Sequence, residues 1–259
     1  MPIDTHSHLC SDNLYGDLEG VVLRAENNDV KKIVTIGCEK GSYDKTYLVG
    51  QKYENIFTSY GLCPHKVEDW NEELRDEIIQ YLKKDHKVRA YGEIGLEYYY
   101  LDKNKDIDEQ KKLQREVFQS QLEIACEFSL PTIVHSREAE EDTVKILEKF
   151  IGNKVVIHCF TGSKLFAQKI IAMGFNISFT GIVTFDKTGT LMDIIKSLPI
   201  NRIMIETDSP YLAPVPKRGT VNEPSNLKYT FEYIANNLKM SEEDLDIILM
   251  ENSKAFFNI

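Results

Sequence analysis

The sequence predicts an α/β fold, a single-domain TIM (β/α)8 barrel over residues 1–259, on three observations. Eight short, β-branched apolar runs lie near 3–8, 33–37, 56–61, 88–94, 131–135, 154–159, 175–179 and 202–207. Segments of helical periodicity separate them. Side chains that bind metals recur where the runs end, and barrels of this kind build their active sites at the C-terminal ends of the strands. Eight alternations favour the closed barrel over an open doubly wound sheet.

The runs Lys32-Ile33-Val34-Thr35-Ile36-Gly37 and Lys154-Val155-Val156-Ile157-His158-Cys159 are apolar on both faces, as in parallel strands covered by helices. The clearest helix is expected at 108–129, with Leu113, Val117, Phe118, Leu122 and Ala125 on one stripe and charges opposite. Ser163 is placed to cap a helix that ends before Gly174. Ser241-Glu242-Glu243-Asp244 reads as a capping box opening the last helix. A Pro-rich irregular stretch, 208–225, follows the eighth strand. The chain has no Gly-rich dinucleotide fingerprint, P-loop, repeat or low-complexity linker.

Composition narrows the function classes. At 42% hydrophobic residues there is ample material for a core, yet no apolar run is long enough to span a bilayer. The start of the sequence has neither a basic nor an apolar targeting segment, so a cytoplasmic setting is expected. Five cysteines, odd in number and without a C-x-x-C pair, point to reduced thiols rather than a disulfide framework. A net charge of −10 argues against a broad surface for nucleic-acid backbone. A phosphate-bearing substrate would need a local basic rim or the metals themselves. A monomer without an obligate protein partner is expected.

Four of the six histidines sit at strand ends: His6 and His8 in the first run, His135 in the fifth and His158 in the sixth. Glu93 ends the fourth run and Asp208 follows the eighth. Side chains two apart on a strand share a face. By that rule Asp4, His6 and His8 point one way, as do Glu93 and Gly95, His135 and Arg137, His158 and Phe160, and Glu206 and Asp208. A buried cluster of imidazoles and carboxylates is costly without compensating charge, and divalent ions supply it.

The motifs Asp4-Thr5-His6-Ser7-His8, Gly92-Glu93-Ile94-Gly95-Leu96-Glu97-Tyr98-Tyr99, Leu130-Pro131-Thr132-Ile133-Val134-His135-Ser136-Arg137, Ile157-His158-Cys159-Phe160-Thr161-Gly162-Ser163 and Ile205-Glu206-Thr207-Asp208-Ser209-Pro210 resemble those of the TatD family of metal-dependent deoxyribonucleases. So do the Gln114, Phe118, Gln121, Leu122 helix pattern, Ser178-Phe179-Thr180-Gly181 and the Pro-rich loop through Arg218-Gly219 to Asn222-Glu223-Pro224. The resemblance implies a barrel of the amidohydrolase superfamily, with His6, His8, Glu93, His135, His158 and Asp208 as metal ligands. Departures fall beside these residues: Cys63-Pro64-His65 stands for His-Pro-His, Glu97 for an Asp, and Thr220 and Val221 for basic residues.

The expected reaction is hydrolysis of DNA phosphodiester bonds, directed to single-stranded ends. Glu93 is the natural bridge between two divalent ions, Mg²⁺, Mn²⁺ or Zn²⁺, which activate a water. Asp208 is the expected general base, and Glu93 completes the catalytic pair. Asp4 and Glu206 are expected to orient imidazole N–H groups, with a buried acid satisfied by backbone or Arg as the alternative. Arg137, Arg218 and His65 are candidate substrate contacts, with ordinary ion pairing or packing as the alternative. Tyr98, Tyr99, Tyr100, Phe160 and Tyr211 are candidates for stacking bases. Cys159 reads as a buried strand thiol, Cys63 as exposed to the site without being a nucleophile, and His86 as solvated surface. The alternatives are a hydrolase of an amide, lactone or aminoacyl-tRNA ester on the same scaffold, and a non-catalytic metal-binding protein.

Overall fold

The computed structural model describes residues 2–259. Eight parallel strands follow one another in chain order: β1 (Asp4–Ser7), β2 (Ile33–Gly37), β3 (Ile56–Tyr60), β4 (Val88–Glu97), β5 (Thr132–Arg137), β6 (Val155–Ile157), β7 (Asn176–Phe179) and β8 (Ile203–Ile205). The ring closes just beyond the last strand. Asp208 N donates to His6 O at 2.9 Å and His8 N to Ser209 O at 2.7 Å. All eight predicted runs are strands. No helix among the described residues is long and apolar enough to cross a membrane.

Two apolar layers follow from the alternation of side chains along buried strands. Val34, Ile36, Ala90, Ile133, Val156 and Met204 fill the barrel, with Phe256 and Phe257 among them. A larger layer, including Ile33, Tyr60, Tyr91, Ile94, Leu96, Ile177 and Ile205, packs under the helices. The residues two before His135, His158 and Glu206 thus belong to the barrel interior, and the polar site is the top layer of that packing.

Two strands break the alternation. Between the pairs Tyr91↔Thr132 and Ile94↔Val134, β4 advances three residues while β5 advances two. The extra residue lets Tyr91 pack outward and still brings Glu93 into the barrel. Gly92 and Gly95 in this stretch have φ of +142° and +137°. A Cβ on Gly95 would lie 2.0 Å from His135 O, so only glycine permits this approach of β4 to β5. β1 likewise gains a residue against β2 between Asp4↔Ile33 and Ser7↔Thr35.

The helix predicted at 108–129 runs Ile107–Glu127. Its buried stripe contains Val117, Phe118, Leu122 and Ala125, but Leu113 is 37% exposed and Gln114 and Gln121 are buried instead. The two glutamines brace strand ends. Gln114 accepts from Glu97 N at 2.8 Å and donates to Glu97 O at 2.9 Å. Gln121 does the same for Leu62, at 2.8 and 3.0 Å. Ser163 caps Lys164–Ala172 by accepting from Phe166 N, and Ser241 caps Glu242–Phe257 by accepting from Asp244 N.

Candidate metal centre

Six predicted ligand side chains converge at the strand ends. His6 and His8 point their Nε2 atoms toward one another, 3.1 Å apart. Glu93 Oε2 lies 3.4 Å from His6 Nε2 and 3.7 Å from His8 Nε2. Asp208 Oδ1 lies 3.6 and 3.4 Å from the same two atoms. On the other side of Glu93, Oε1 lies 3.3 Å from His135 Nδ1 and 3.3 Å from His158 Nε2, which are 3.1 Å from each other. Glu93 therefore gives one oxygen to each donor set.

These spacings test whether an ion fits. Ligand bonds of about 2.0–2.2 Å in a tetrahedron put the ligand atoms roughly 3.3–3.6 Å apart. The measured separations, 3.1–3.7 Å, bracket that range. The first set, His6, His8, Glu93 and Asp208, offers four donors. The second, Glu93, His135 and His158, offers three and leaves a position open. Mixed imidazole and carboxylate donors suit first-row divalent ions.

In the second set the remaining ring nitrogens are held by carboxylates. His135 Nε2 bonds Glu97 Oε2 at 3.1 Å, and His158 Nδ1 bonds Glu206 Oε1 at 3.2 Å. Each contact fixes which nitrogen faces the site. His6 is fixed differently. Its ring stacks on His158 with centroids 4.1 Å apart and planes 5° from parallel, and its buried Nδ1 has no hydrogen-bond partner.

The electrostatics of the cluster call for positive charge. Burial alone would raise the Glu93 carboxyl, but His158, His135 and His6 outweigh it and hold it well below the usual carboxylate range. Burial would lower His158, yet Glu93 and Glu206 push it well above its ordinary value. His8 and His135 are raised against burial in the same way, by Asp208 and by Glu93 with Glu97. Of the four imidazoles, His6 alone is lowered, by burial and by His158. The acids thus favour positive charge among the other three imidazoles, and a bound cation would supply it in their place.

The backbone is strained where the site needs side chains turned. Asp208 and Cys159 have left-handed φ of +53° and +46°, an arrangement that costs roughly 1–3 kcal/mol each. Asp208 is held by its N–H on His6 O. Cys159 N donates to Glu206 Oε1 at 2.7 Å.

Other expectations need correction. Asp4 does not orient an imidazole. The extra residue in β1 turns it toward Thr207, whose N–H and Oγ1 donate to its carboxylate at 2.9 and 2.6 Å. Glu206 does hold a ring nitrogen, as expected. Phe160 lies in the helix-side core, stacked on Phe166, because the turned backbone at Cys159 ends the alternation. Tyr98 is packed there too and donates to Asp142 at 2.7 Å. Cys159 sits beyond the end of β6, half-buried and on the cavity wall, rather than within the strand. Cys63 lines the cavity but is itself buried.

Above the ligands opens a cavity of about 660 Å³. His65 and Tyr211 line it, and so do Lys40, Lys45 and Lys66 from the segments after β2 and β3. Arg137 and Arg218 are not among its lining residues. Arg137 lies over the rings of Tyr99 and Tyr100, at 4.0 and 5.0 Å. Arg218 lies 3.8 Å over Phe185 and donates to Ala213 O. Neither forms an ion pair among the described residues. Sequence reasoning missed the three lysines and the role of Glu97. The Asp-to-Glu departure beside the fourth strand was the visible clue to Glu97.

A closed parallel barrel carrying imidazole and carboxylate donors at its strand ends defines a metal-dependent hydrolase. The sequence matches the family described as TatD related DNase over residues 3–258. It is 38% identical to the metal-dependent hydrolase YabD of Bacillus subtilis, with 100% of each chain covered. It is 36% identical to the metal-dependent hydrolase YcfH of Escherichia coli, over 99% of this chain and 96% of that one. The crystal structure of YjjV, a TatD homologue from E. coli, superposes with a TM-score of 0.89 at 26% identity, covering 100% of this chain and 98% of the other. The chain belongs to the TatD family.

Proposed function

We propose that this metal-dependent hydrolase is a deoxyribonuclease that cleaves phosphodiester bonds near the ends of single strands. The observation that carries the reading is the sharing of Glu93 between two donor sets, one of four side chains and one of three. Two divalent ions held there would supply Lewis acidity on both sides of a transferring phosphoryl group and a water acidic enough to attack near neutral pH. The chain's own part is to place and to relay. Glu93 fixes the two sets against each other. Glu97 and Glu206 keep His135 and His158 oriented. Asp208 lines the cavity beside the first set and takes the proton of the attacking water.

The cavity walls fit a polyanion that enters by its end. Of the lysines on its wall, Lys45 is paired with Asp12 at 2.9 Å and Lys66 with Glu39 at 3.7 Å, which leaves Lys40, among the described residues, as an unpaired positive charge in a chain that carries −10. That balance favours a short segment held locally over a duplex wrapped across the surface. His65 stands at the cavity wall, 3.9 Å from Glu97, where it contacts the leaving group.

Turnover of a 3′-labelled single-stranded oligonucleotide, measured beside an amide, a lactone and an aminoacyl ester, tests the reading. Shortening of the oligonucleotide with little hydrolysis of the carbonyl substrates is expected. The reverse preference would assign the site to carbonyl chemistry.

A further inference from the structure

Beside the main cavity lies a second, smaller one of about 180 Å³, between the segment after β3 and the start of helix Ile107–Glu127. His65 lines both, and Glu97, which holds His135, lines the small pocket, so that pocket opens one side chain away from His135. Pro64, Val67, Tyr100, Leu101 and Leu113 give it apolar and aromatic walls, and Glu68, Asp102, Lys105, Gln110 and Gln114 complete the lining. It is smaller than the roughly 300–1,000 Å³ of sites for drug-sized ligands and suits a single ring system.

Two features bear on what enters. The first is an aromatic platform at the rim. Tyr99 and Tyr100 are 50% and 63% exposed and pack edge to face, with centroids 4.8 Å apart. Arg137 braces them from one side, and the Tyr100 ring lies 5.7 Å from that of His65. Large rings held in water by a cation and an imidazole invite a stacking partner. The second is that most of the pocket's polar side chains already have partners within the protein. The Gln114 amide is spent on the Glu97 backbone, and the Gln110 amide on Asp102 and Asp106. Lys105 is paired with Glu68 at 2.6 Å. Glu97 accepts from Tyr99 N and His135. The pocket offers π faces and apolar contact beside polar groups that are largely engaged within the protein.

We propose that this pocket takes one nucleobase of the substrate strand, stacked against Tyr100, without regard to which base it is. The proposal rests on the phosphodiesterase reading and adds a binding position to it. Stacking of this kind tolerates sequence because every base has a π face. The base belongs to a nucleotide next to the cleaved bond, since the pocket begins at the residue that holds His135. One such contact lets an acidic protein engage a strand end without a long basic track.

The test uses the full-length, metal-loaded protein and single-stranded oligonucleotides in which each nucleotide flanking the cleaved bond is replaced in turn by an abasic tetrahydrofuran. Wild-type protein should lose about tenfold in kcat/KM at one position only, while exchanging A, C, G and T there should change it less than about threefold. Tyr100→Ala should abolish that positional dependence. Leu113→Trp, which fills the pocket from the helix side and leaves Tyr100 intact, should do the same. Quenching of 2-aminopurine at that position, in a non-cleavable phosphorothioate strand, should be lost in both variants. Cleavage without positional dependence, or dependence and quenching that persist in both variants, overturns the pocket alone. Failure to cleave or bind any oligonucleotide overturns the pocket and the phosphodiesterase reading together.

Discussion

Glu97 Oε2 lies 3.1 Å from His135 Nε2, the ring nitrogen that faces away from Glu93. The contact fixes the imidazole so that Nδ1 points at Glu93 and His158. Gln114 clamps the backbone of Glu97 from the neighbouring helix, so the carboxylate is not free to drift. Glu97→Gln keeps the shape and weakens the acceptor. The second donor set should then lose about 10–100-fold in affinity, while the first, which Glu97 does not touch, is unchanged. Two-phase Mn²⁺ binding isotherms check this. Equal weakening of both phases would show that Glu97 acts on the fold rather than on His135.

Asp208 has two expected roles, and they separate by substitution. Asp208→Asn retains one ligand oxygen but cannot take a proton. The variant should keep metal and lose roughly 10²–10⁴-fold in kcat. His135→Ala removes a donor outright and should instead lower metal occupancy. Occupancy and rate measured on both variants distinguish the roles. Near-wild-type kcat in a fully loaded Asp208→Asn would move the base elsewhere.

The convergence of the six side chains was legible because their residue types are rare and fall at or near strand ends, where a parallel barrel gathers them. What the sequence hid was orientation. Asp4 and Phe160 sit two residues from ligands, and simple alternation aims them into the site. An inserted residue in β1 and the left-handed φ of Cys159 turn both away, and neither leaves a mark in composition. Gln114 and Gln121 were hidden for a related reason. A helical stripe read by hydrophobicity passes over amides that are buried because they satisfy strand-end backbone. Lys40 and Lys45 follow β2 and Lys66 follows β3, and the adjacency of those two strands in the barrel brings them to one cavity.

Asp4 gives a pH prediction for metal-free protein. Burial raises its carboxyl to about 7, against the hydrogen bonds from Thr207 and His6 that would lower it. The folded state then holds a proton that the unfolded chain, with a carboxyl near 3.9, releases. This contribution is fully present below about pH 4 and is lost as pH rises through about 7. Asp4→Asn cannot ionise. Its stability relative to wild type should improve by up to roughly 4 kcal/mol between pH 4 and pH 8. Urea unfolding at the two pH values measures the change. A constant difference would mean that Asp4 is ionised in the fold throughout.

Arg218 tests the rim beyond the cavity. Its guanidinium rests on Phe185 and has no acidic partner among the described residues, which leaves it available to a flanking phosphate. Arg218→Ala should raise KM for an oligonucleotide, with kcat little changed, by an amount worth roughly 1.5–3 kcal/mol for a lost charge-assisted contact. An unchanged KM would assign the side chain to packing on Phe185.

The central claim is that a DNA strand is cut at the site where Glu93 joins two donor sets, each of which would hold a divalent ion. The most direct measurement is turnover of a 3′-labelled single strand by chelator-stripped protein during stepwise return of Mn²⁺, with bound metal counted at each step. The account predicts no turnover in the stripped protein, and a rate that rises with the second ion and levels off at two per chain. Full turnover by metal-free protein, or a rate complete at one ion per chain, would contradict it.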